Sequence, residues 1–204
     1  MAEMVGSGAA GGEAAGGEAA AAPVRRERGF GGKPWFWLPW PVLVAADLWS
    51  KSAVFAFLAE RYPLLPETHR SHLVFDGPLR FELVTWCNPG TIWGLFPNAT
   101  WVLMVLRCAA VVGLFWFLRN SPRRARLQQF VLSLVLAGAL GNLYDNFFRA
   151  DRTVRDFLHF SGTWPWKWDF PAFNVADSCI TVGAICLFLL LWREDRMRPA
   201  QAVS

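Results

Sequence analysis

The sequence predicts an all-α polytopic membrane protein, with four transmembrane helices that carry a small extracytoplasmic β-sheet. Four apolar runs of about 20 residues are each long enough to cross a hydrocarbon layer of about 30 Å. Clusters of arginine stand beside these runs, and tryptophans mark their ends. Of the 204 residues, 54% are hydrophobic and 12 are tryptophan, so the formal net charge of +4 indicates membrane topology and no nucleic-acid partner.

Three regions follow from this composition. Residues 1–34 form an Ala/Gly-rich cytoplasmic tail that buries too little apolar surface to offset its ordering entropy, so we expect disorder there. Residues 35–192 form the membrane domain, and residues 193–204 a basic cytoplasmic tail. The predicted spans run from about Trp35 to Leu58, Thr100 to Leu118, Leu127 to Phe147 and Phe173 to Trp192.

Basic residues predict the orientation. Arginines cluster before the first span, in the link between the second and third spans, and after the fourth. The positive-inside rule places these clusters, and therefore both termini, in the cytoplasm. The two longer connections, at about residues 59–99 and 148–172, then lie on the outer face.

The two outer connections differ in character. Residues 72–86 read as a β-hairpin, because apolar and polar side chains alternate after the turn pair Asp76-Gly77. The second connection is rich in Pro and Trp, which favours a stiff loop leading into the fourth helix at Pro171. No cysteine or histidine spacing is typical of a metal site, so we expect neither a metal nor another cofactor.

Polar residues inside the predicted spans are candidates for function, because charge in lipid is costly without a partner or a task. Asp47 and Lys51 lie four residues apart, where they either neutralise each other or orient a site or its substrate. Asn142 and Asp145 share one face of the third helix, where Asn142 could link helices and Asp145 could be solvated. Arg107 either snorkels to the interface or pairs with an acid.

Asp156 and Asp177 are the leading catalytic candidates. We expect Asp177 about four residues into the fourth helix, close to Asn174, with Asp156 approaching from the loop above the third helix. Two carboxyl groups that converge near lipid can share one proton and activate a water molecule. The alternative is structural, in which the polar residues of the last two helices form a hydrogen-bonded plug that holds the helices together.

Four sequence blocks, in this order along the chain, resemble the signal peptidase II family of bacterial prolipoprotein signal peptidases. The blocks are Asp47-x-x-x-Lys51, Asn88-Pro89-Gly90, Gly141-Asn142-Leu143-Tyr144-Asp145 with Val154-Arg155-Asp156-Phe157, and Pro171-Ala172-Phe173-Asn174-Val175-Ala176-Asp177-Ser178. The resemblance covers about residues 36–192. It implies an aspartic endopeptidase of the bacterial inner membrane that cuts diacylglyceryl-modified prolipoproteins before the lipidated cysteine.

The resemblance also implies roles for individual residues. Asp156 and Asp177 match the catalytic pair, and Asn142 and Asn174 match the residues that orient it. Positions that the family uses for site support or substrate contact are Asp47, Lys51, Asn88, Gly90 and Asp145. The implied partners are diacylglyceryl-prolipoproteins and membrane lipid, with the active site near the periplasmic face. We expect a monomer.

The chain departs from the family pattern at two places. Asn146 stands where the family usually has Arg, and residues 88–94 read Asn-Pro-Gly-Thr-Ile-Trp-Gly. The first change predicts that another cation anchors the substrate, and we favour Arg149 over Arg107 and Arg155.

Two rival functions remain at this point. A transporter or proton pathway would also hold intramembrane acids, but it predicts polar residues through the full depth of the bilayer and broken helices. The candidate acids cluster instead near the outer end. A catalytically degenerate scaffold remains open because of Asn146.

The orientation is testable with reporter fusions or cysteine accessibility. Positions within residues 60–98 and 150–170 are expected on the outer face, and both tails in the cytoplasm. A cytoplasmic location for either connection would contradict the orientation and the placement of the site.

Overall fold

The computed structural model describes residues 29–89 and 100–197. Residues 1–28, 90–99 and 198–204 lie outside these ranges, and Gly90 is among them. The expectations for those segments therefore stay predictions.

Helices and strands alternate in pairs along the described chain. In order they are α1 (Pro34–Trp37), α2 (Pro39–Arg61), β1 (Ser71–Phe75), β2 (Leu79–Asn88), α3 (Thr100–Asn120), α4 (Arg126–Phe148), β3 (Val154–Gly162), β4 (Trp168–Phe173) and α5 (Val175–Met197). A break at Leu38 separates α1 from α2, as expected before Pro39, whose ring has no N–H to donate.

Within residues 29–89 and 100–197, four helical units are long and apolar enough to cross a membrane. They are α1 with α2, α3, α4 and α5, and each coincides with one predicted span to within a few residues. The 21 residues of α3 extend about 30 Å, the thickness of a bilayer core. Large apolar side chains such as Trp49 and Phe188 stay exposed on the outer sides of the bundle, as lipid-facing residues would.

Helix α4 is the centre of the bundle and packs against α1, α2, α3 and α5. One part of α4 contributes to an apolar core, whose buried members are Phe36, Leu114, Leu118, Leu132 and Leu136. Near the C-terminal end of α4, three polar side chains are buried together, and these are Asn142, Asp145 and Asn146. This polar group marks the end of the bundle where the candidate residues lie.

Glycines on α4 let its neighbours approach closely. A Cβ atom on Gly141 would lie 2.6 Å from Asp47 Oδ2 and 3.1 Å from Ala176 Cβ. A Cβ on Gly138 would meet the carbonyl oxygen of Ala176. Small residues at these positions therefore bring α2 and α5 against α4, as is common for membrane helices.

The strands form one antiparallel sheet in the order β1-β2-β3-β4. The predicted hairpin is confirmed as β1 and β2, and β2 also pairs with β3 with a register shift between Leu83 and Trp86. Beyond that shift, Trp86 pairs with Asp156 and Asn88 pairs with Val154. The sheet therefore carries Asp156 and Asn88 on adjacent strands.

Two expectations from the sequence were wrong. The segment read as a stiff loop forms β3 and β4, so "all-α" understates a fold that includes a four-stranded sheet. The fourth helix begins at Val175, two residues later than predicted, because Phe173 still belongs to β4. The strands are held by long-range pairing and by stacked rings such as Phe81 on Phe160, with centroids 4.6 Å apart, which local composition does not reveal.

Replacing Gly141 with Ala is expected to lower the thermal stability of the detergent-solubilised protein. The added methyl would displace Asp47 or part α4 from α5, and overpacking of this kind typically costs about 1–3 kcal/mol. Gly113→Ala is the matched control, because a Cβ at this helical glycine meets nothing within 4 Å. Equal melting temperatures for the two variants would contradict the close packing at Gly141.

Candidate active site

Asn174 and Asp177 cap the first turn of α5. The Asn174 side-chain oxygen accepts the backbone N–H of Asp177 at 2.8 Å, and the Asp177 carboxylate accepts the backbone N–H of Asn174 at 3.3 Å. This reciprocal pattern is a capping box, which satisfies amides that a helix start leaves without partners. Asp177 therefore lies in the first turn, closer to the helix end than the sequence predicted, and its side chain is half-buried.

Asp156 lies on β3, not on a loop as predicted, and only 1% of it is exposed. Its two carboxylate oxygens accept hydrogen bonds from the amides of Asn174, at 2.6 Å, and Asn88, at 3.1 Å. Since Asn174 also contacts Asp177, this one side chain joins the two aspartates. We call Asp156 and Asp177 the aspartate pair.

The environment of Asp156 favours its protonated form. Burial raises the pKa of this carboxyl group to about 7, and the negative charge of Asp177 adds to the effect. The amide hydrogen bonds from Asn88 and Asn174 act in the opposite direction without cancelling the rise. Near neutral pH, Asp156 can therefore hold a proton.

Four charged side chains of alternating sign lie close to the pair. Lys51 Nζ is 2.7 Å from Asp47 and 3.3 Å from Asp145, and all three side chains are almost fully buried. Arg155 contacts Asp145 at 2.7 Å. We call Asp47, Lys51, Asp145 and Arg155 the charge chain; its formal charges sum to zero, which lowers the cost of burying each one.

The charge chain fixes the elements that carry the aspartates. Asp47 Oδ1 accepts the N–H of Ala176 at 2.8 Å, so α2 holds the start of α5. Asp145 accepts the backbone N–H of Arg155 at 3.0 Å, so α4 holds β3 one residue before Asp156. Both aspartates are thereby positioned from the same group of buried ions.

Asn142 connects the charge chain to the aspartate pair. Its oxygen accepts hydrogen bonds from Lys51 at 3.1 Å and from Asn174 at 3.2 Å. Its amide donates to Asp177 at 2.7 Å. The donor and acceptor sides of one asparagine thus orient Asp177 relative to Lys51.

The structure brings together nearly all the residues that the sequence singled out. In the described part of the chain, the residues joined by hydrogen bonds or ion pairs are Asp47, Lys51, Asn88, Asn142, Asp145, Asp156, Asn174 and Asp177. Asp145 is fully buried, so the solvated alternative for this residue is wrong. Gly90 lies outside the described residues, and its role stays a prediction.

Two contributors to the site were not given a supporting role from the sequence. Arg155 holds Asp145 through its guanidinium and offers its carbonyl oxygen to Asn174 at 3.2 Å. The available signal was its position directly before Asp156 in the block Val154-Arg155-Asp156-Phe157. Asn146 is the second, since its side-chain oxygen accepts a hydrogen bond from Arg107.

A cleft of about 920 Å³ runs along the sheet next to this network. Asn88 lines the cleft and also contacts Asp156, so the cleft adjoins the aspartate pair. Its lining includes apolar groups such as Trp86 and Pro171 and charged groups such as Glu82. Among the described residues, no group of three or more His, Cys, Asp or Glu side chains could hold a metal ion.

Fold and site together describe a protein with four helical units of membrane-spanning length and two carboxyl groups in a hydrogen-bonded network at one end of them. The family model for signal peptidase (SPase) II matches residues 40–193, about three quarters of the chain. The chain therefore belongs to the signal peptidase II family and is a peptidase.

Similarity to individual proteins supports this family membership. A lipoprotein signal peptidase of Anoxybacillus flavithermus is 30% identical over 163 residues, covering 79% of this chain and 87% of that protein. One from Geobacillus thermodenitrificans is 34% identical over 147 residues, covering 72% and 82%. A solved bacterial membrane enzyme superposes with a TM-score of 0.63 at 22% identity, covering 88% of this chain and 99% of that one, which shows a shared fold.

The raised pKa of Asp156 predicts how stability changes with pH. Between the ordinary value of 3.8 and about 7, the folded state binds more protons than the unfolded state, so the free energy of unfolding falls as pH rises. Asp156→Asn removes the titrating group and should flatten the dependence of melting temperature on pH between about pH 5 and 7.

Asp151→Asn is the control for this measurement. Partial burial opposes ionisation of Asp151, but hydrogen bonds from Arg149 and Thr153 hold its pKa at about 2. Asp151 is therefore ionised in both states across the window, and its replacement should leave the slope unchanged. A slope in Asp156→Asn equal to that of the wild type would contradict the raised pKa.

Proposed function

We propose that this chain is an aspartic endopeptidase that removes signal peptides from diacylglyceryl-modified bacterial prolipoproteins, cutting before the lipidated cysteine. The observation that carries the proposal is the aspartate pair, joined by Asn174 and placed beside a cleft. Family membership and relatives named lipoprotein signal peptidase support the substrate class.

The two aspartates have different surroundings, and we assign them different roles. Buried Asp156 holds the proton and donates a hydrogen bond to the scissile carbonyl oxygen, which gains negative charge as the peptide is attacked. Half-buried Asp177 acts as the general base: it takes a proton from the attacking water and returns it to the leaving amide nitrogen as the C–N bond breaks. The two roles depend on each other, since the negative charge of Asp177 adds to the rise in the pKa of Asp156.

Substrate binding combines a lipid part and a peptide part. The acyl chains would lie against the apolar outer sides of the helices, where each buried CH₂ contributes about 0.8 kcal/mol. The polypeptide would follow the cleft along the sheet toward Asn88 and the aspartate pair. The scissile bond then lies where the membrane helices meet the sheet.

The proposed location follows from the same geometry. With both termini in the cytoplasm, the C-terminal end of α4 and the start of α5 lie at the periplasmic side of the inner membrane, where a translocated precursor arrives. We propose that the enzyme works as a monomer, because both aspartates and the three asparagines that contact them come from one chain.

Asp156→Asn and Asp177→Asn are each expected to abolish cleavage of a diacylated precursor peptide while the protein stays folded. Loss of a general acid or base costs about 10²–10⁴ in rate, and losing half of a cooperating pair should cost more. The measurement is turnover by purified protein, together with thermal stability in detergent. Asp151→Asn, which replaces an exposed acid bonded to Arg149, is the control and should cleave like the wild type.

The structural-plug alternative predicts a different result. If the aspartates only hold the helices together, both variants would lose thermal stability and keep turnover within about tenfold of the wild type, an effect too small for a catalytic base. Cleavage at that level by either variant would overturn the aspartic-peptidase proposal.

A further inference from the structure

Arg107 is a half-buried cation within a membrane-spanning helix. In the described part of the chain its hydrogen-bond partner is the side chain of Asn146, and no carboxylate lies within ion-pair distance. Asp177, Asp156 and Asp145 attract it only over a longer range. A cation held by a neutral amide inside a membrane protein points to a task, because burying its charge is costly.

Asn146 fixes the direction of the Arg107 guanidinium. The Asn146 amide donates to the carbonyl oxygen of Arg152 at 2.7 Å, which leaves its oxygen turned toward Arg107. Asn146 is fully buried, so this orientation is enforced by packing. A guanidinium has five N–H donors, and the contact with Asn146 uses one nitrogen. The remaining donors can serve a ligand.

The other two candidate cations, Arg149 and Arg155, already form ion pairs with carboxylates of this chain. Arg149 bonds to Asp151 at 3.0 Å at the exposed edge of the fold, with Glu67 at 3.5 Å. Arg155 belongs to the charge chain through Asp145. The contacts therefore favour Arg107 over Arg149, which the sequence had suggested as the anchoring cation.

The depth of Arg107 suggests what it binds. It lies seven residues after the start of α3, about 10 Å along the helix, and helical side chains lean toward the N-terminus, here the outer end. The guanidinium reaches the last turn of α4 at Asn146. In the proposed orientation this is the boundary between acyl chains and water, where a lipid-modified substrate presents neutral carbonyl oxygens.

We propose that Arg107, oriented by Asn146, donates hydrogen bonds to a carbonyl oxygen of the lipid-modified substrate. The carbonyl belongs either to an ester of the diacylglyceryl group or to the peptide beside the lipidated cysteine. This inference rests on the proposed function and adds a substrate-binding residue to it. Arg107 binds the ground state and transition state alike, so its loss raises KM and leaves kcat nearly unchanged.

The first experiment compares Arg107→Gln and Arg107→Lys with the wild type on a diacylglyceryl precursor peptide, each at its own pH optimum. Arg107→Gln should raise KM about 10-fold or more, with kcat within about threefold, since a charge-assisted hydrogen bond is lost. Arg107→Lys keeps the charge without the forked donors, so its KM should lie between those of the wild type and Arg107→Gln. Arg149→Gln is the matched control and should keep the wild-type KM.

The second experiment identifies the carbonyl. A dialkylglyceryl ether analogue of the precursor lacks the ester carbonyl oxygens but keeps the chains. If Arg107 binds the ester, the analogue raises KM for the wild type and not for Arg107→Gln. If Arg107 binds the peptide carbonyl, the analogue changes KM equally in both proteins, while Arg107→Gln still raises KM for either substrate.

Other outcomes overturn the inference. An unchanged KM in Arg107→Gln would exclude substrate binding by Arg107. A fall in kcat at unchanged KM would assign Arg107 to the chemistry or to the geometry of the aspartate pair instead. Absence of cleavage by the wild-type protein would count against the proposed function itself, so the two failures are distinguishable.

Discussion

The end of the helix bundle that carries the aspartate pair depends on Lys51, a single cation between two carboxylates. It contacts Asp47 and Asp145, all three side chains are almost fully buried, and each carboxylate in turn holds another element of the structure. Asp47 holds the start of α5, and Asp145 holds β3 through Arg155. Removing one partner of such a group leaves an uncompensated buried charge, which typically costs about 3–5 kcal/mol.

The zero net charge of the charge chain affects the protonation of the neighbouring aspartate pair. The charge chain is neutral in sum, so it does not supply a full counterion to both Asp156 and Asp177. Neutral amides, from Asn88, Asn142 and Asn174, make direct contacts with the pair. Burial and the charge of Asp177 raise the pKa of Asp156, and a protonated Asp156 beside a base is the state that the proposed mechanism requires.

The four helical spans and the ion pair of Asp47 with Lys51 could be predicted from the sequence, because their signals are local. Apolar runs indicated the spans, arginine clusters indicated the expected orientation, and the i, i+4 spacing of Asp47 and Lys51 indicated their ion pair. The strands β3 and β4 could not be predicted in this way, since β3 depends on pairing with β2 far away in the chain and β4 on pairing with β3. The contact between Arg107 and Asn146 joins two helices whose rotation no local pattern specifies.

The most direct test of the shared proton is infrared spectroscopy of the protonated carboxyl group, comparing wild type with Asp156→Asn and Asp177→Asn across pH. In the wild type we expect a carboxylic-acid band that fades as pH rises through about 7. The band should be missing in Asp156→Asn, and in Asp177→Asn it should fade at lower pH because the neighbouring negative charge is gone. If the carboxylic-acid band of the wild type is still present in Asp156→Asn, Asp156 does not carry the proton, and the proposed roles of the two aspartates are contradicted.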